Sequence, residues 1–183
     1  RDDASAKAWP EGGAMLAPRH RRLPRGSAVE SLPGFAEGAF WVQDLAATIP
    51  ARLLGAGDGR RVLDLCAAPG GKTMQLAAAG WRVDALDVSG KRLQRLSENL
   101  ERTGLSATVL QGDALKWRPD ALYDAILIDA PCSATGIFRR HPDVLHRVGA
   151  RAIADTARIQ AVLLARSLDW LAPGGTMVFA TCS

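Results

Sequence analysis

The chain has 183 residues, of which 48% are hydrophobic, and this is enough for one domain with its own core. No apolar run reaches the roughly 20 residues that cross a bilayer, and the N-terminal residues lack the basic-then-apolar layout of a signal peptide, so we expect a cytosolic protein without membrane contacts. The 23 Lys and Arg against 19 Asp and Glu give a net charge of +4, which suits a polyanionic partner but is also common among soluble proteins.

The first 40 residues are rich in residues that interrupt regular structure. They contain four prolines and five glycines, so we expect residues 1–40 to be a connecting segment without a long helix or strand. The segment carries the basic group Arg19, His20, Arg21, Arg22 and Arg25. These side chains either contact phosphate or lie in a solvated loop, and the sequence leaves both interpretations open.

A helical pattern follows over residues 43 to about 54, because Leu45, Ile49 and Leu53 recur four residues apart. After Gly55, short apolar runs alternate with amphipathic stretches. The runs are residues 62–67, 82–88, 108–110, 125–129 and 176–180.

The stretch between the second and third runs has clear helix signals. Ser89 is a suitable N-cap, Leu93, Leu96 and Leu100 share one face, and Gly104 is a suitable end. We therefore predict a helix from just after Ser89 to about Gly104.

A longer helical pattern precedes the last apolar run. Its apolar positions are Ile153, Ala157, Leu164, Leu168 and Leu171, and we expect Pro173-Gly-Gly to end it. Continuously apolar strands that alternate with helices imply a parallel sheet covered on both faces. The predicted fold class is therefore α/β, with a doubly wound, mainly parallel sheet in a domain over residues 41–183.

The turn after the first run has the features of a cofactor cradle. Its residues are Cys66, Ala67, Ala68, Pro69, Gly70, Gly71 and Lys72. Ligands of such sheets bind at the carboxyl ends of the strands, and two adjacent glycines let the backbone approach a ligand next to free helix N-terminal amides. A nucleotidase P-loop is disfavoured because Cys66 stands where that motif needs glycine, and the missing G-x-G-x-x-G fingerprint weakens a hydride-transfer function.

Acidic residues at strand ends favour a nucleoside-containing ligand. Asp87 closes the second run, where a carboxylate can bind two ribose hydroxyls, and Asp113 follows the third run, where it can face an adenine amino group. Asp64, inside the first run, can hold an ammonium group directly or through water. One such residue is usually a helix cap, but three at successive strands favour a ligand site.

The cysteines suggest chemistry rather than structure. Positions 66, 132 and 182 are odd in number and widely spaced, so we predict neither a disulfide framework nor a zinc site. Cys132 and Cys182 follow the fourth and fifth runs, and adjacent parallel strands would bring both thiols, with Asp129, to one rim of the sheet.

Two thiols and an acid at one rim suit substitution at carbon 5 of a pyrimidine. That atom does not attack a sulfonium methyl unaided, but addition of a thiolate to carbon 6, with a proton or hydrogen bond at N3, makes carbon 5 an enamine carbon. Cys182 as nucleophile, Asp129 as acid and Cys132 as base or leaving-group assistant fill these roles. Lys72 either hydrogen-bonds Asp129 or only begins a helix.

Several motifs together resemble one family. They are Gly38-Ala-Phe-Trp-Val-Gln-Asp44, Asp64-Leu-Cys-Ala-Ala-Pro-Gly-Gly-Lys-Thr73, Asp87-Val-Ser-Gly-Lys-Arg-Leu93, Asp129-Ala-Pro-Cys-Ser133 with Thr135-Gly136, Arg139-Arg-His-Pro-Asp143 and Thr181-Cys-Ser183. On these residues, the chain from about 33 to 183 resembles the RsmB (Fmu/Sun) small-subunit ribosomal RNA cytosine-C5 methyltransferases, within the NOL/Nop2/Sun family.

The resemblance implies a Rossmann-like class I methyltransferase fold, S-adenosyl-L-methionine as cofactor, RNA as substrate and no metal. It implies cofactor contacts from the turn at 66–72 and from Asp87, Arg92, Asp113 and Asp129. It also implies that Cys182 is the nucleophile and that Cys132 assists product release.

The chain departs from the family pattern in two respects. Ala134 stands where the family commonly has glycine, which is expected to stiffen the loop slightly. Family members continue through further strands, and the ribosomal branch usually adds a helical RNA-binding domain in front. We therefore expect a fragment, truncated at the C-terminal end, whose fifth strand lies at an unfinished sheet edge.

The substrate side is the least visible from the sequence. A target cytosine has to be unstacked to reach the rim, which is easiest in a loop or single-stranded segment of RNA. Candidates for holding the flanking phosphates follow the Pro-Cys loop, namely Arg139, Arg140, His141, His146 and Arg147.

Rival functions also remain. A DNA cytosine-C5 methyltransferase would use Cys132 as nucleophile, although the Thr181-Cys182 motif favours RNA. The sequence is also compatible with a transfer-RNA methyltransferase, with a non-catalytic module that binds cofactor or RNA, and with a nicotinamide dehydrogenase.

Overall fold

The computed structural model describes residues 12–138 and 142–182. The elements in chain order are β1 (Ala14–Ala17), β2 (His20–Arg22), α1 (Leu45–Leu53), β3 (Arg61–Leu65), α2 (Gly71–Ala78), β4 (Arg82–Asp87), α3 (Gly90–Thr103), β5 (Thr108–Gln111), β6 (Tyr123–Asp129), α4 (Val144–Arg147), α5 (Ala150–Leu168) and β7 (Leu171–Ala180). Short 3-10 turns lie at Val29–Ser31 and Thr135–Ile137. Among the described helices, none is long and apolar enough to span a bilayer.

Five strands form one parallel sheet in the order β5-β4-β3-β6-β7. The chain moves outward from β3 to β5 and then returns to the other side of β3 for β6 and β7. This reversal creates a crevice outside the carboxyl ends of β3 and β6, where ligands of doubly wound sheets bind. The predicted α/β class is confirmed.

The central strands are buried on both faces, which explains their continuous apolar sequence. Val62 and Leu127 pack with Leu76 of α2 on one face. Leu63 and Ile126 pack on the other face, in a cluster that includes Trp170. All four strand residues have 0% exposure, so the middle of the sheet is a rigid base for the rim above it.

Helix α3 agrees with its sequence signals. Its N-cap Ser89 accepts a hydrogen bond from the Arg92 amide, and it ends at Gly104, whose φ is +59°. Leu93, Leu96 and Leu100 are all buried. Helix α1 begins two residues later than predicted, because the Asp44 carboxylate caps it by accepting from the Ala46 amide.

The predicted end of the long helix is wrong. Helix α5 ends at Leu168, and Pro173 lies inside β7, next to an irregularity in the pairing of β6 and β7. The cause is Trp170, which is 4% exposed and packs edge-to-face on Trp117 at 5.4 Å. Burial of this ring turns the chain into the sheet before the proline, so Leu171 pairs with β6 instead of extending the helix face.

The N-terminal segment contains a two-stranded antiparallel hairpin, β1–β2, and then packs against α3. The Arg102 guanidinium of α3 donates to the Phe35 and Phe40 carbonyls and lies 4.0 Å from the Phe35 ring centroid. Gly38 sits between them, with φ +69°. This contact joins the N-terminal segment to α3, the helix that follows β4.

Gly38→Ala and Gly55→Ala form a matched pair that tests this contact. Both glycines are left-handed, with φ of +69° and +67°, so either alanine costs about 1–2 kcal/mol of backbone strain. A Cβ at position 55 has open space, whereas a Cβ at position 38 would overlap the Arg102 carbonyl. We expect urea denaturation to show Gly38→Ala less stable than Gly55→Ala by about 1–3 kcal/mol. Equal stabilities would contradict the described packing.

Candidate active site

The two thiols that the sequence placed at strand ends meet at one rim. Cys132 follows β6, Cys182 follows β7, and their Sγ atoms are 2.7 Å apart. The Ala130 amide donates to the Ala180 carbonyl, which extends the strand pairing to the base of both loops. Cys182 is exposed and Cys132 is partly buried. An incoming group therefore reaches Cys182 more easily.

Lys72 and Asp129 form an ion pair beside the thiols. The Lys72 Nζ atom is 2.8 Å from Asp129 Oδ2, and the two side chains are 13% and 39% exposed. Lys72 lies in the first turn of α2, so it both begins a helix and holds the carboxylate at the end of β6. The pair places a cationic proton donor and a carboxylate together at the rim.

Burial and nearby negative charge keep the thiols of Cys182 and Cys66 protonated. Burial raises the pKa of the Cys182 thiol to about 11, with further contributions from its hydrogen bond to Cys132 and from the charges of Cys132 and Asp129. Burial, and then the charge of Asp87, raises the pKa of Cys66 to about 12. A thiolate at this rim therefore has to form by proton transfer to a neighbouring base.

The glycine-rich turn at 66–72 is held by contacts to β4 and to α3. Gly70 has φ +104°, and a Cβ there would lie 2.9 Å from Leu96 Cγ of α3. The Ala68 amide donates to Asp87 Oδ2, and the Arg92 guanidinium reaches both the Ala68 carbonyl and the Asp87 carboxylate. Asp87 and Arg92 thus fix the shape of the turn.

A cavity of about 250 Å³ lies beside this turn at the carboxyl end of the sheet. Its polar lining comes from Cys66, Asp87 and Asp113, and its apolar lining includes Leu115 and Ile159. Apolar walls with a few carboxylates at fixed positions are typical of a nucleoside site. Asp113 Oδ1 also accepts from the Leu115 amide, so this residue stabilises its own loop as well as facing the cavity.

Asp64 is a buried acid with an unsatisfied oxygen. It is 0% exposed, and its Oδ2 accepts from Thr73 at 2.6 Å, but Oδ1 has no hydrogen-bond partner among the described residues. Burial, and then the charge of Asp129, raises its pKa to about 7. An ammonium or amide donor close to Asp64 would relieve this cost. The carboxylates of Asp64, Asp87 and Asp113 therefore fit a nucleoside ligand that carries an amino acid group.

The remaining predicted residues are distributed as follows. Ala67 and Ala68 are buried, and Pro69 lines a different cavity, together with Glu30 and Phe35. Arg139, Arg140 and His141 lie outside the described residues. His146 is exposed on α4, and only the backbone of Arg147 is described. Ala134 has φ +58°, the conformation that glycine adopts without strain.

Sequence reasoning missed the apolar wall of the cavity. Ile159 and Leu163 of α5 line it, but at helical spacing they have the same pattern as ordinary core residues. Pro131 also lines it, and Gln160 holds that residue by donating to its carbonyl. Only the position of α5 against the rim reveals these roles.

The profile of the family described as 16S rRNA methyltransferase RsmB/F matches residues 51–183. Ribosomal RNA small subunit methyltransferase B of Salmonella arizonae is 45% identical over the whole chain, and that of Salmonella paratyphi B is 44% identical. The chain spans 43% of the length of each of these relatives.

Solved structures agree with the family match. NSun6 from Pyrococcus horikoshii with SFG is 33% identical, with a TM-score of 0.77 over 84% of this chain and 41% of that one. A methyltransferase homolog protein from Pyrococcus horikoshii is 32% identical, with a TM-score of 0.75 over 87% of this chain and 51% of that one. The match to a methyltransferase family agrees with the predicted cofactor, S-adenosylmethionine. The chain therefore belongs to the RsmB/F family of ribosomal RNA methyltransferases.

Proposed function

We propose that the chain is the catalytic domain of an enzyme that forms 5-methylcytosine in RNA, most specifically in small-subunit ribosomal RNA. The observation that carries the proposal is the contact between Cys132 and Cys182 beside the Lys72–Asp129 pair. Pro131, the residue before Cys132, lines the 250 Å³ cavity. A pyrimidine ring at this rim would meet a nucleophile, a proton donor and a second thiol within one small region. We also propose a cytoplasmic location, where ribosomal RNA substrates would be available.

The cofactor contacts follow from the cavity. We assign them to the turn at 66–72 and to Asp87, Arg92, Asp113 and Asp129. S-adenosylmethionine, when bound, supplies a methyl group on a sulfonium, which is electrophilic without a metal. Asp87 and Asp113 would accept hydrogen bonds from its ribose and base, and Asp64 would accept from its ammonium directly or through water.

Cys182 is assigned as the nucleophile. Its sulfur forms a bond to carbon 6 of cytosine, the electrons of the C5–C6 double bond form a C4–C5 double bond, and those of the C4–N3 double bond move to N3. N3 takes a proton, and carbon 5 becomes an enamine carbon that accepts the methyl group. A base, for which we assign Cys132, removes the proton from carbon 5, which restores the C5–C6 double bond and expels the Cys182 thiolate, and N3 returns its proton to Asp129.

Asp129 is assigned as the acid that protonates N3. Its carboxyl group can carry the proton to N3, and Lys72 at 2.8 Å can return a proton to it. Cys132, whose sulfur contacts that of Cys182, is assigned to act after attack, as the base that removes the carbon 5 proton and assists expulsion of Cys182. The exposed position of Cys182 supports this division of roles over the reverse one.

The nearest rival is a DNA cytosine-C5 methyltransferase in which Cys132 attacks. The family of ribosomal RNA methyltransferases to which the chain belongs favours RNA, and the exposure of Cys182 favours that thiol. A transfer-RNA substrate would use the same chemistry. A non-catalytic module would bind the cofactor and RNA without methyl transfer, and a nicotinamide dehydrogenase would bind NAD instead.

The first prediction concerns the covalent adduct. Cys132→Ser should accumulate a protein–RNA adduct that survives a denaturing gel, because attack proceeds while expulsion is slowed. Cys182→Ser should form none under the same conditions, with undermodified small-subunit ribosomal RNA and S-adenosylmethionine. An adduct in Cys182→Ser and none in Cys132→Ser would assign the nucleophile to Cys132 and overturn the proposed roles.

The second prediction concerns pH. Because the pKa of Cys182 is raised to about 11, only a small fraction of this residue is thiolate at neutral pH. That fraction grows about tenfold for each unit by which the pH rises, until the pH approaches the pKa. Alkylation of Cys182 by iodoacetamide, followed by mass spectrometry, should accelerate in the same way. Cys132→Ala removes a hydrogen bond and a charge that raise this pKa, so its profile should shift to lower pH. A flat rate from neutral pH upward would contradict the described environment.

The third prediction concerns the cofactor cavity. Asp113→Asn keeps the oxygen that accepts from the Leu115 amide but replaces the other oxygen with a donor, which cannot accept from an adenine amino group. Calorimetry should show S-adenosylmethionine binding weakened by roughly tenfold or more, without loss of thermal stability. Asp120→Asn, at an exposed position, is the matched control and should bind normally. Equal affinity in the two variants would remove Asp113 from the site.

A further inference from the structure

The positive charge of the chain is concentrated in one short segment. Residues 12–29 contain four arginines, at 19, 21, 22 and 25, and no acidic residue or lysine. The whole chain has a net charge of +4, so the rest of it, with 19 basic and 19 acidic residues, is formally neutral. A field that comes from one segment, rather than from the whole surface, indicates a local anion-binding surface.

This segment is the β1–β2 hairpin and the turn that follows it. Arg22 pairs with Ala14, and His20 pairs with Ala17. Since alternate residues of a strand share a face, His20 and Arg22 lie side by side, opposite two small side chains that do not cover them. Arg21 lies on the other face and donates a hydrogen bond to the carbonyl of Gly12, which links β2 to the residues just before β1.

The two turns of the segment present further arginines. In the turn at 24–27, the Ser27 amide donates to the Pro24 carbonyl, Gly26 has φ +78°, and Arg25 is exposed. At the hairpin tip, Arg19 itself adopts φ +59°, a conformation that costs a non-glycine residue about 1–2 kcal/mol. An exposed arginine at a position suited to glycine points to a role for its side chain outside the fold.

The segment that follows the hairpin reaches the glycine-rich turn at 66–72. Glu30 and Phe35 line one cavity with Pro69, which belongs to the glycine-rich turn. Arg25 is five residues before Glu30, so its Cα lies within about 18 Å of the Glu30 Cα even if the chain between them is extended. A strand of RNA whose target base entered the rim could therefore also reach the hairpin.

We propose that the hairpin surface formed by Arg19, His20, Arg22 and Arg25 binds the phosphate backbone of the RNA that carries the target cytosine. The inference rests on the proposed function and adds to it a specific part of the substrate interface. The contacts are to phosphates, so they position the RNA and increase affinity without selecting a sequence.

The test measures RNA affinity against salt. The variant Arg19→Gly/Arg22→Gln/Arg25→Gln is compared with wild type for binding a short fluorescein-labelled single-stranded RNA by anisotropy, from about 50 to 200 mM NaCl. Because each phosphate contact contributes about 0.7 to the salt slope for single strands, the slope of log K against log salt should become less steep by about 2. Affinity at low salt should fall by at least about tenfold.

A matched control separates the hairpin from a general loss of charge. Arg52→Gln/Arg82→Gln/Arg118→Gln removes three exposed arginines elsewhere and should change the slope much less. Arg19→Gly alone should lower the slope by about 0.7 and preserve or raise stability, since glycine favours this φ. Calorimetry with S-adenosylmethionine checks that each variant retains its fold.

The outcomes separate this inference from the proposed chemistry. Weaker, less salt-dependent RNA binding in the hairpin variant supports the inference even if no variant forms a covalent adduct, which would instead count against the proposed function. Unchanged RNA affinity and slope overturn the inference, whether or not the adduct forms. The inference is also overturned if the hairpin variant binds RNA like wild type but no longer binds vesicles that contain acidic lipid, because the surface would then bind membranes instead of RNA.

Discussion

The parallel pairing of β6 with β7 is the constraint on which the site depends. Asp129 at the end of β6 pairs with Ala180 of β7, and the Ala130 amide continues the pairing by donating a hydrogen bond to the Ala180 carbonyl. Because parallel strands end on the same side, the loops that follow both strands leave the sheet together. The two thiols meet for this reason, although 50 residues separate them in the chain.

Cys66 and Cys182 differ in how exposed their side chains are. Burial, together with the charges of Asp87, Asp129 and Asp64, raises the pKa of Cys66, so this thiol is held protonated beside the cavity that it lines. Cys182 is more exposed than Cys66, and its sulfur contacts the Cys132 thiol. Because the sheet excludes water, burial of the unpaired Oδ1 atom of Asp64 costs free energy. A ligand with a cationic group could offset this cost.

Much of this arrangement was predictable because local signals agreed with the tertiary structure. The strands were visible as apolar runs, α3 had a cap at each end, and the two Cys-containing strand ends could be paired once a parallel sheet was inferred. The end of α5 was not predictable from the proline, because the helix ends at Leu168, where the chain turns to bury Trp170. The roles of Ile159 and Leu163 depend on how α5 lies against the rim, which helical periodicity does not specify.

The most direct test uses RNA in which the target cytosine carries fluorine at carbon 5, because the adduct then lacks the proton whose loss expels the thiol. Wild-type protein is incubated with this RNA and S-adenosylmethionine, digested with nuclease and protease, and analysed by mass spectrometry. We predict a methylated fluoropyrimidine nucleotide attached to the peptide that contains Cys182. Attachment to the peptide that contains Cys132 would contradict the central assignment.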